Sequence, residues 1–211
     1  MSTPDNDDDT EGGDDMLAMD ERITEHDLSE PVVDDIDQAV DGGAFGDDPD
    51  AEIGVALAVE RAVLSALLWA PAAVARAITA VLLPKHFVSH QHATIYAAIA
   101  DVATRTAPMP ALVNARLVEA GHYTTGVASL MVSVVSPAGP VPAVVEIPHL
   151  ADKLLALWYR RGHQVLLARM AQHVRESPVE DLAGHWAQLT DYQHKAADDF
   201  YTRRNQLADL T

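Results

Sequence analysis

Hydrophobic residues recur along most of the chain with the three- and four-residue spacing of helices that bury one face. From residue 53 onward these stripes follow one another, and no segment shows the period of two that is typical of a strand. The pattern therefore predicts an all-α body. The stripes of its first three helices are Val59, Val63, Leu64 and Leu67, then Val74, Ile78, Val81 and Leu82, then Ile95, Ile99, Val102 and Ala103.

The first part of the body, residues 53–136, is predicted to be a small helical bundle. It contains about five short helical segments with close connections, which suffice for one small core. One segment begins at Pro110, since proline is favoured at the first helical position, and stops at Gly121.

The second part, residues 143–200, is predicted to be a long helical hairpin. Two long helical segments are joined only by the letters RESPVE, and so short a join makes them antiparallel neighbours. Within it, Ser177 is predicted as the N-cap of the second helix, with Pro178 at the first position and Glu180 at the third.

The hairpin carries more apolar surface than two helices can hide between themselves. Large exposed apolar patches are rare on soluble chains, and a two-fold axis makes such a patch self-complementary. We therefore expect a homodimer, with higher oligomers as an extension of it. The interface candidates are Trp158, Val165, Met170, Leu182, Trp186 and Leu189.

The net charge of −18 is concentrated at one end of the chain. Residues 1–52 hold 20 acidic residues and one arginine, whereas the rest of the chain holds 12 acidic and 13 basic residues. Composition predicts a disordered, solubilising acidic tail, although the stretches MLAMDERITEHDL and VVDDIDQAV could fold on a partner. Residues 201–211 are predicted to be a C-terminal tail.

Several classes of function lack their sequence signals. The chain has no cysteine, its N-terminus does not resemble a signal peptide, and the uncharged stretch 120–145 is interrupted by glycine and proline. The spacing from Gly121 to Gly126 matches a phosphate-binding loop, but the Lys-Ser/Thr pair that should follow is missing. We expect no catalytic residues, no cofactor and a cytoplasmic protein.

Three histidines within seven residues, His86, His90 and His92, raise the question of a metal site. Two histidines four apart on one helix face can bind zinc, but a site needs a third ligand. Ser89 is a cap candidate that would start the helix only near residue 90 and leave His86 in the preceding loop. The pattern therefore favours a turn followed by an amphipathic helix, with no metal bound.

The same stretch, LLPKHFVSHQHATIYAAI, resembles the signature of the N-terminal domain of DnaB-type replicative DNA helicases. Upstream, VERAVLSALLWAP resembles the family's E-x-A-V-L-G-x-L-L-x-x-P, with Ser65 in place of glycine, and His86 replaces the usual acid. The resemblance covers about residues 53–195. The matching signature residues are Glu60, Leu64, Pro84, Phe87, His92, Ile95, Tyr96 and Ile99.

The resemblance implies a specific function. In that family this domain is a helical bundle with a dimerising hairpin, and copies form a collar that docks primase, while ATP hydrolysis belongs to a separate RecA-like domain. Walker A, Walker B and the arginine finger have no counterpart in this chain. We therefore expect a non-catalytic DNA-replication module of the primosome, which oligomerises and contacts a helicase, a primase or both.

An alternative function is nucleic-acid binding by a basic face of the hairpin. Arg160, Arg161, Arg169 and Arg175 lie on its first helix and could contact phosphates. The nearly neutral body and the acidic tail disfavour this alternative, because the tail would repel DNA unless a partner sequesters it. An enzyme of unknown chemistry is the least favoured class, since no nucleophile–base pair is evident.

Overall fold

The computed structural model describes residues 49–210, with side chains from residue 52 onward. This part of the chain contains seven α-helices and no strand, which confirms the predicted all-α fold. Nearly all of the predicted acidic tail lies outside the described residues. The α-helices are α1 (Pro49–Leu68), α2 (Ala72–Val81), α3 (His90–Ala103), α4 (Pro110–Glu119), α5 (Thr125–Val135), α6 (Ile147–Glu176) and α7 (Leu182–Ala208), and the 3₁₀ helices are Pro84–His86, Val144–Glu146 and Val179–Asp181.

The core joins the bundle to the root of the hairpin. Helices α1 to α5 bury one face each, and the first part of α6 lies in the same cluster. Burying each large aliphatic side chain stabilises the fold by about 1.5–3 kcal/mol. Because Ile147 and Leu154 belong to this cluster, the packing holds the root of the hairpin on the bundle. The fully buried side chains include Leu64, Leu67, Ile78, Ile95, Ile99, Leu117, Met131, Ile147 and Leu154.

Local signals set several helix ends where the sequence predicts them. Ser89 caps α3, and its Oγ accepts a hydrogen bond from the His92 amide at 3.3 Å. Pro110 is the first residue of α4, and Gly121 follows that helix with a φ of 72°, a backbone conformation that favours glycine. Thr124, a cap that the sequence pattern had not predicted, starts α5 by accepting from the Val127 amide at 3.4 Å.

The join of the hairpin differs from the prediction. Ser177 ends α6 instead of starting α7, because its backbone is extended and its amide donates to the His173 carbonyl at 2.9 Å. Pro178 is extended as well, and a short 3₁₀ turn, Val179–Asp181, precedes α7. The predicted N-cap at Ser177 is therefore wrong, although the two long helices do pack against each other.

The second hairpin helix continues eight residues beyond residue 200, to Ala208, through most of the predicted C-terminal tail. Leu207 is buried at 1% exposure and lies seven residues after buried Phe200, so the apolar stripe of α7 continues. Arg203 donates to the carbonyl of Val81 in the bundle and to Asp199 Oδ1 one turn earlier in α7. The contact with Val81 and the burial of Leu207 explain why the segment is helical.

No helix within residues 49–210 combines the length and the apolar character that crossing a bilayer requires.

Candidate functional site

The root of the hairpin packs on the loop that carries the first of the three histidines. His86 is fully buried, and its Nδ1 accepts a hydrogen bond from the Leu83 amide at 3.0 Å. Its ring centroid lies 4.8 Å from that of Trp158 on α6. Arg161 Nη2 donates to the His86 carbonyl at 2.9 Å, and Lys85 lies over the Trp158 ring at 5.4 Å. One loop therefore fixes the root of α6.

We call the contact between the His86 loop and the root of α6 the junction. Burial and nearby cations control the protonation of its titratable side chains. Burial, with the positive charges of Arg203 and Lys85, lowers the pKa of His86 to about 3, so the ring is neutral at physiological pH. Burial also lowers the pKa of Arg161. Partial burial opposes ionisation of Asp199, but hydrogen bonds from Lys85 and Arg203 outweigh it and lower the pKa of that carboxyl.

A second buried polar group links α1 to the start of α3 by hydrogen bonds. The Glu60 carboxylate is fully buried and accepts hydrogen bonds from the backbone amides of Val88 and Ser89. His92 Nδ1 lies 2.6 Å from Glu60 Oε2. The contacts of His92 are those of a structural group, and within residues 49–210 no group of three or more His, Asp or Glu is placed to hold a metal ion.

The residues of the quoted signature are mainly core residues. Tyr96 donates its hydroxyl to the buried carbonyl of Leu82 at 2.9 Å, and its ring lies 4.8 Å from that of Phe87. Pro84 is exposed and opens the 3₁₀ helix before α3. The remaining signature residues, Glu60, Leu64, His92, Ile95 and Ile99, are buried.

The rest of the hairpin is more exposed than the start of α6, because residues 156–199 include no buried side chain. Trp186 is 56% exposed. His173 and His185 stack across the two helices with ring centroids 3.8 Å apart, which joins the hairpin near its turn. Of the other interface candidates, Trp158 packs on His86 at the root, whereas Val165, Met170, Leu182 and Leu189 are only partly buried.

Helix α6 is a basic element in a nearly neutral body. Between residues 153 and 175 it carries one lysine and four arginines and no acidic residue. The arginines do not form one face, since Arg161 is held in the junction while the neighbouring Arg160 has a side chain that is 72% exposed. Sequence spacing alone missed the structural role of Arg161, because adjacent charged residues carry no signal of which one is buried.

A shallow cleft of about 610 Å³ lies beside the connector that precedes α6. It is lined by the proline-rich segment 140–143, Glu146, His149 and Leu150. The Glu146 carboxylate accepts a hydrogen bond from the Ala143 amide at 2.6 Å, so it shapes the turn. The cleft therefore offers apolar contact area more than a set of reactive groups.

The bundle is the part of the chain that is similar to a known protein family. The family model of the DnaB-like helicase N-terminal domain matches residues 55–147, from α1 to the first residue of α6. No curated protein and no solved structure matches the chain significantly. The matched segment contains all eight signature residues, and the match ends where the hairpin begins.

Proposed function

We propose that the chain is a non-catalytic DNA-replication module that pairs through its hairpin, because residues 55–147 match the family model of the DnaB-like helicase N-terminal domain. The family match supports a helicase-associated role for the bundle. The two finer parts of the proposal are the pairing of two copies and the docking of a replicative helicase or primase in the cytoplasm. Each part has its own support and its own test.

The exposed distal hairpin is the observation that carries the pairing. Two helices packed side by side shield only their facing sides, and residues 156–199 bury no side chain. A second hairpin related by a two-fold axis would cover Trp186 and the partly buried Leu182 and Leu189 with the same residues of its partner. Aromatic side chains that become buried in this way contribute strongly to an interface.

Light scattering at tens of micromolar tests the pairing, with the mass of two chains as the expected result. Trp186→Glu should give the mass of one chain and an unchanged helical circular dichroism spectrum, because the residue is exposed within one copy. The matched control is Trp69→Glu, since Trp69 on the bundle is 54% exposed and should leave the dimer intact. A wild-type mass of one chain would reject the pairing.

The contact with replication proteins is tested separately. Immobilised wild-type protein should retain purified replicative helicase or primase from the same organism. The dimer and the contact can fail independently, since Trp186→Glu removes the first without altering the bundle. Failure to retain either enzyme, with the dimer intact, would reject the replication role.

Nucleic-acid binding remains the alternative, and the excess of cations on α6 is the observation that favours it. Burial of Arg161 removes one of the four arginines that would contact phosphates. Binding to single-stranded DNA that weakens steeply with salt would support this alternative.

A further inference from the structure

The first turn of α1 lies against the middle of α6. Gln164 Nε2 donates to Glu52 Oε2 at 2.9 Å, and Arg160 Nη1 lies 4.0 Å from Glu52 Oε1. The chain that precedes Pro49 therefore joins the domain beside the exposed distal half of α6.

The face of α6 that contacts Glu52 continues toward the tip of the hairpin and is exposed there. Leu167 is 46% exposed and Val174 is 58% exposed, and Ala171 lies between them and is exposed too. Steps of three and four residues keep these side chains on one face with Arg160 and Gln164. We define the α6 stripe as Leu167, Ala171 and Val174, bordered by the cations Arg160 and Arg175.

We propose that residues 32–40 of this same chain, VVDDIDQAV, dock on the α6 stripe. Val33, Ile36 and Val40 recur at helical spacing with seven residue steps from first to last, as do the three apolar residues of the stripe. Each set is therefore about 10 Å long when helical. The carboxylates that flank this apolar face, Asp34 and Asp37, are complementary to the arginines that border the stripe.

The tether is long enough for this docking. Eight residues, 41–48, lie between Val40 and Pro49, and the nine residue steps from Val40 to Pro49 reach about 30 Å when extended. The distance along α6 from Gln164 to Val174 is only about 15 Å. A short tether also raises the local concentration of the segment to the order of millimolar, so weak contacts suffice.

The docked segment would partly neutralise Arg160 and Arg175 before any nucleic acid could bind to them. Phosphates would have to displace the two carboxylates Asp34 and Asp37, which the tether keeps close. The α6 stripe excludes the partly buried α7 residues Leu182 and Leu189, so docking does not depend on the proposed pairing of hairpins.

Distance measurement between two spin labels tests the docking in the full chain. The protein has no cysteine, so Gln38→Cys and Gln172→Cys place both labels without further changes. Because packed helix axes are about 10 Å apart, we expect a narrow distribution centred below about 30 Å. A broad distribution would overturn the proposal.

Two charge reversals provide the matched comparison. Arg175 borders the stripe, so Arg175→Glu should broaden the distance distribution. Arg169 points roughly 200° around the helix from Leu167, so Arg169→Glu should leave the distribution narrow. Circular dichroism checks that both variants keep their helices. Equal effects of the two reversals would overturn the proposal.

Dilution with unlabelled protein identifies the chain that supplies the segment. A short distance that persists in the diluted sample supports docking within one copy. A short distance that disappears on dilution would overturn docking within one copy, since the segment would then come from another molecule.

Discussion

His86 is a histidine held neutral in the core, and this makes stability depend on pH. The pKa of a histidine in the unfolded chain is about 6.5, whereas burial lowers the pKa of His86 to about 3. Between these pH values the unfolded state binds a proton that the folded state does not, so stability falls as the pH falls. We expect the free energy of unfolding to be lower at pH 5 than at pH 7.5 by on the order of 2 kcal/mol.

Urea denaturation of the wild type and of His86→Asn at both pH values isolates this contribution. The asparagine oxygen can still accept a hydrogen bond from the Leu83 amide, but the side chain does not titrate. The variant should be less stable at pH 7.5, since it fills less space, and should lose less stability on acidification. An identical pH dependence in both proteins would contradict the assignment.

Glu60 is expected to be the most sensitive polar residue of the bundle. Glu60→Ala leaves the amides of Val88 and Ser89 and the ring of His92 without their acceptor in a buried site. We expect a loss of about 3–5 kcal/mol in the free energy of unfolding, measured by urea denaturation. Glu60→Gln should lose less, because the amide keeps one oxygen, and the exposed control Glu119→Ala should change stability by less than about 0.5 kcal/mol.

At the scale of elements, the end of α7 contacts both the bundle and the first hairpin helix and holds them together. Arg203 contacts Val81 at the end of α2, Arg204 donates to Asp152 of α6 at 2.8 Å, and Leu207 is buried. Truncation after Phe200 removes all three contacts. It should lower the midpoint of thermal unfolding by several degrees, since each kcal/mol is worth about 2–4 °C in a chain of this size.

A second truncation serves as the control for the first. Ending the chain after Ala208 keeps α7 whole and should leave the thermal midpoint unchanged. If both truncations melted like the full chain, the end of α7 would contribute nothing to stability.

At the scale of the whole molecule, the proposed function requires this chain to assemble with other proteins and to catalyse no reaction itself. The phosphate-binding spacing at Gly121 and Gly126 lacks its lysine, and Gly121 instead forms the turn that follows α4. The purified chain should therefore neither hydrolyse ATP nor unwind a forked duplex. Turnover that followed the protein through repeated chromatography and was lost on heat unfolding would contradict a non-catalytic module.

The sequence by itself determined the helices of the bundle and several of their ends. Helical hydrogen bonds and caps join residues three or four positions apart, so Ser89 and Pro110 could be assigned from their neighbours alone. The same short range explains the error at Ser177. There the extended backbone at Ser177 and Pro178 ends α6, and no local rule decides between closing one helix and opening the next.

Only the tertiary structure decided which polar residues are buried and hydrogen-bonded between distant segments. Glu60 and His92 are 32 residues apart, and Arg161 and His86 are 75 apart, so no local pattern links either pair. Arg160 and Arg161 are neighbours in sequence, yet Arg160 is exposed and Arg161 is partly buried against the loop that carries His86. The physical reason is that burial and hydrogen bonding depend on which segments pack together, and of these two arginines only Arg161 reaches the carbonyl of His86.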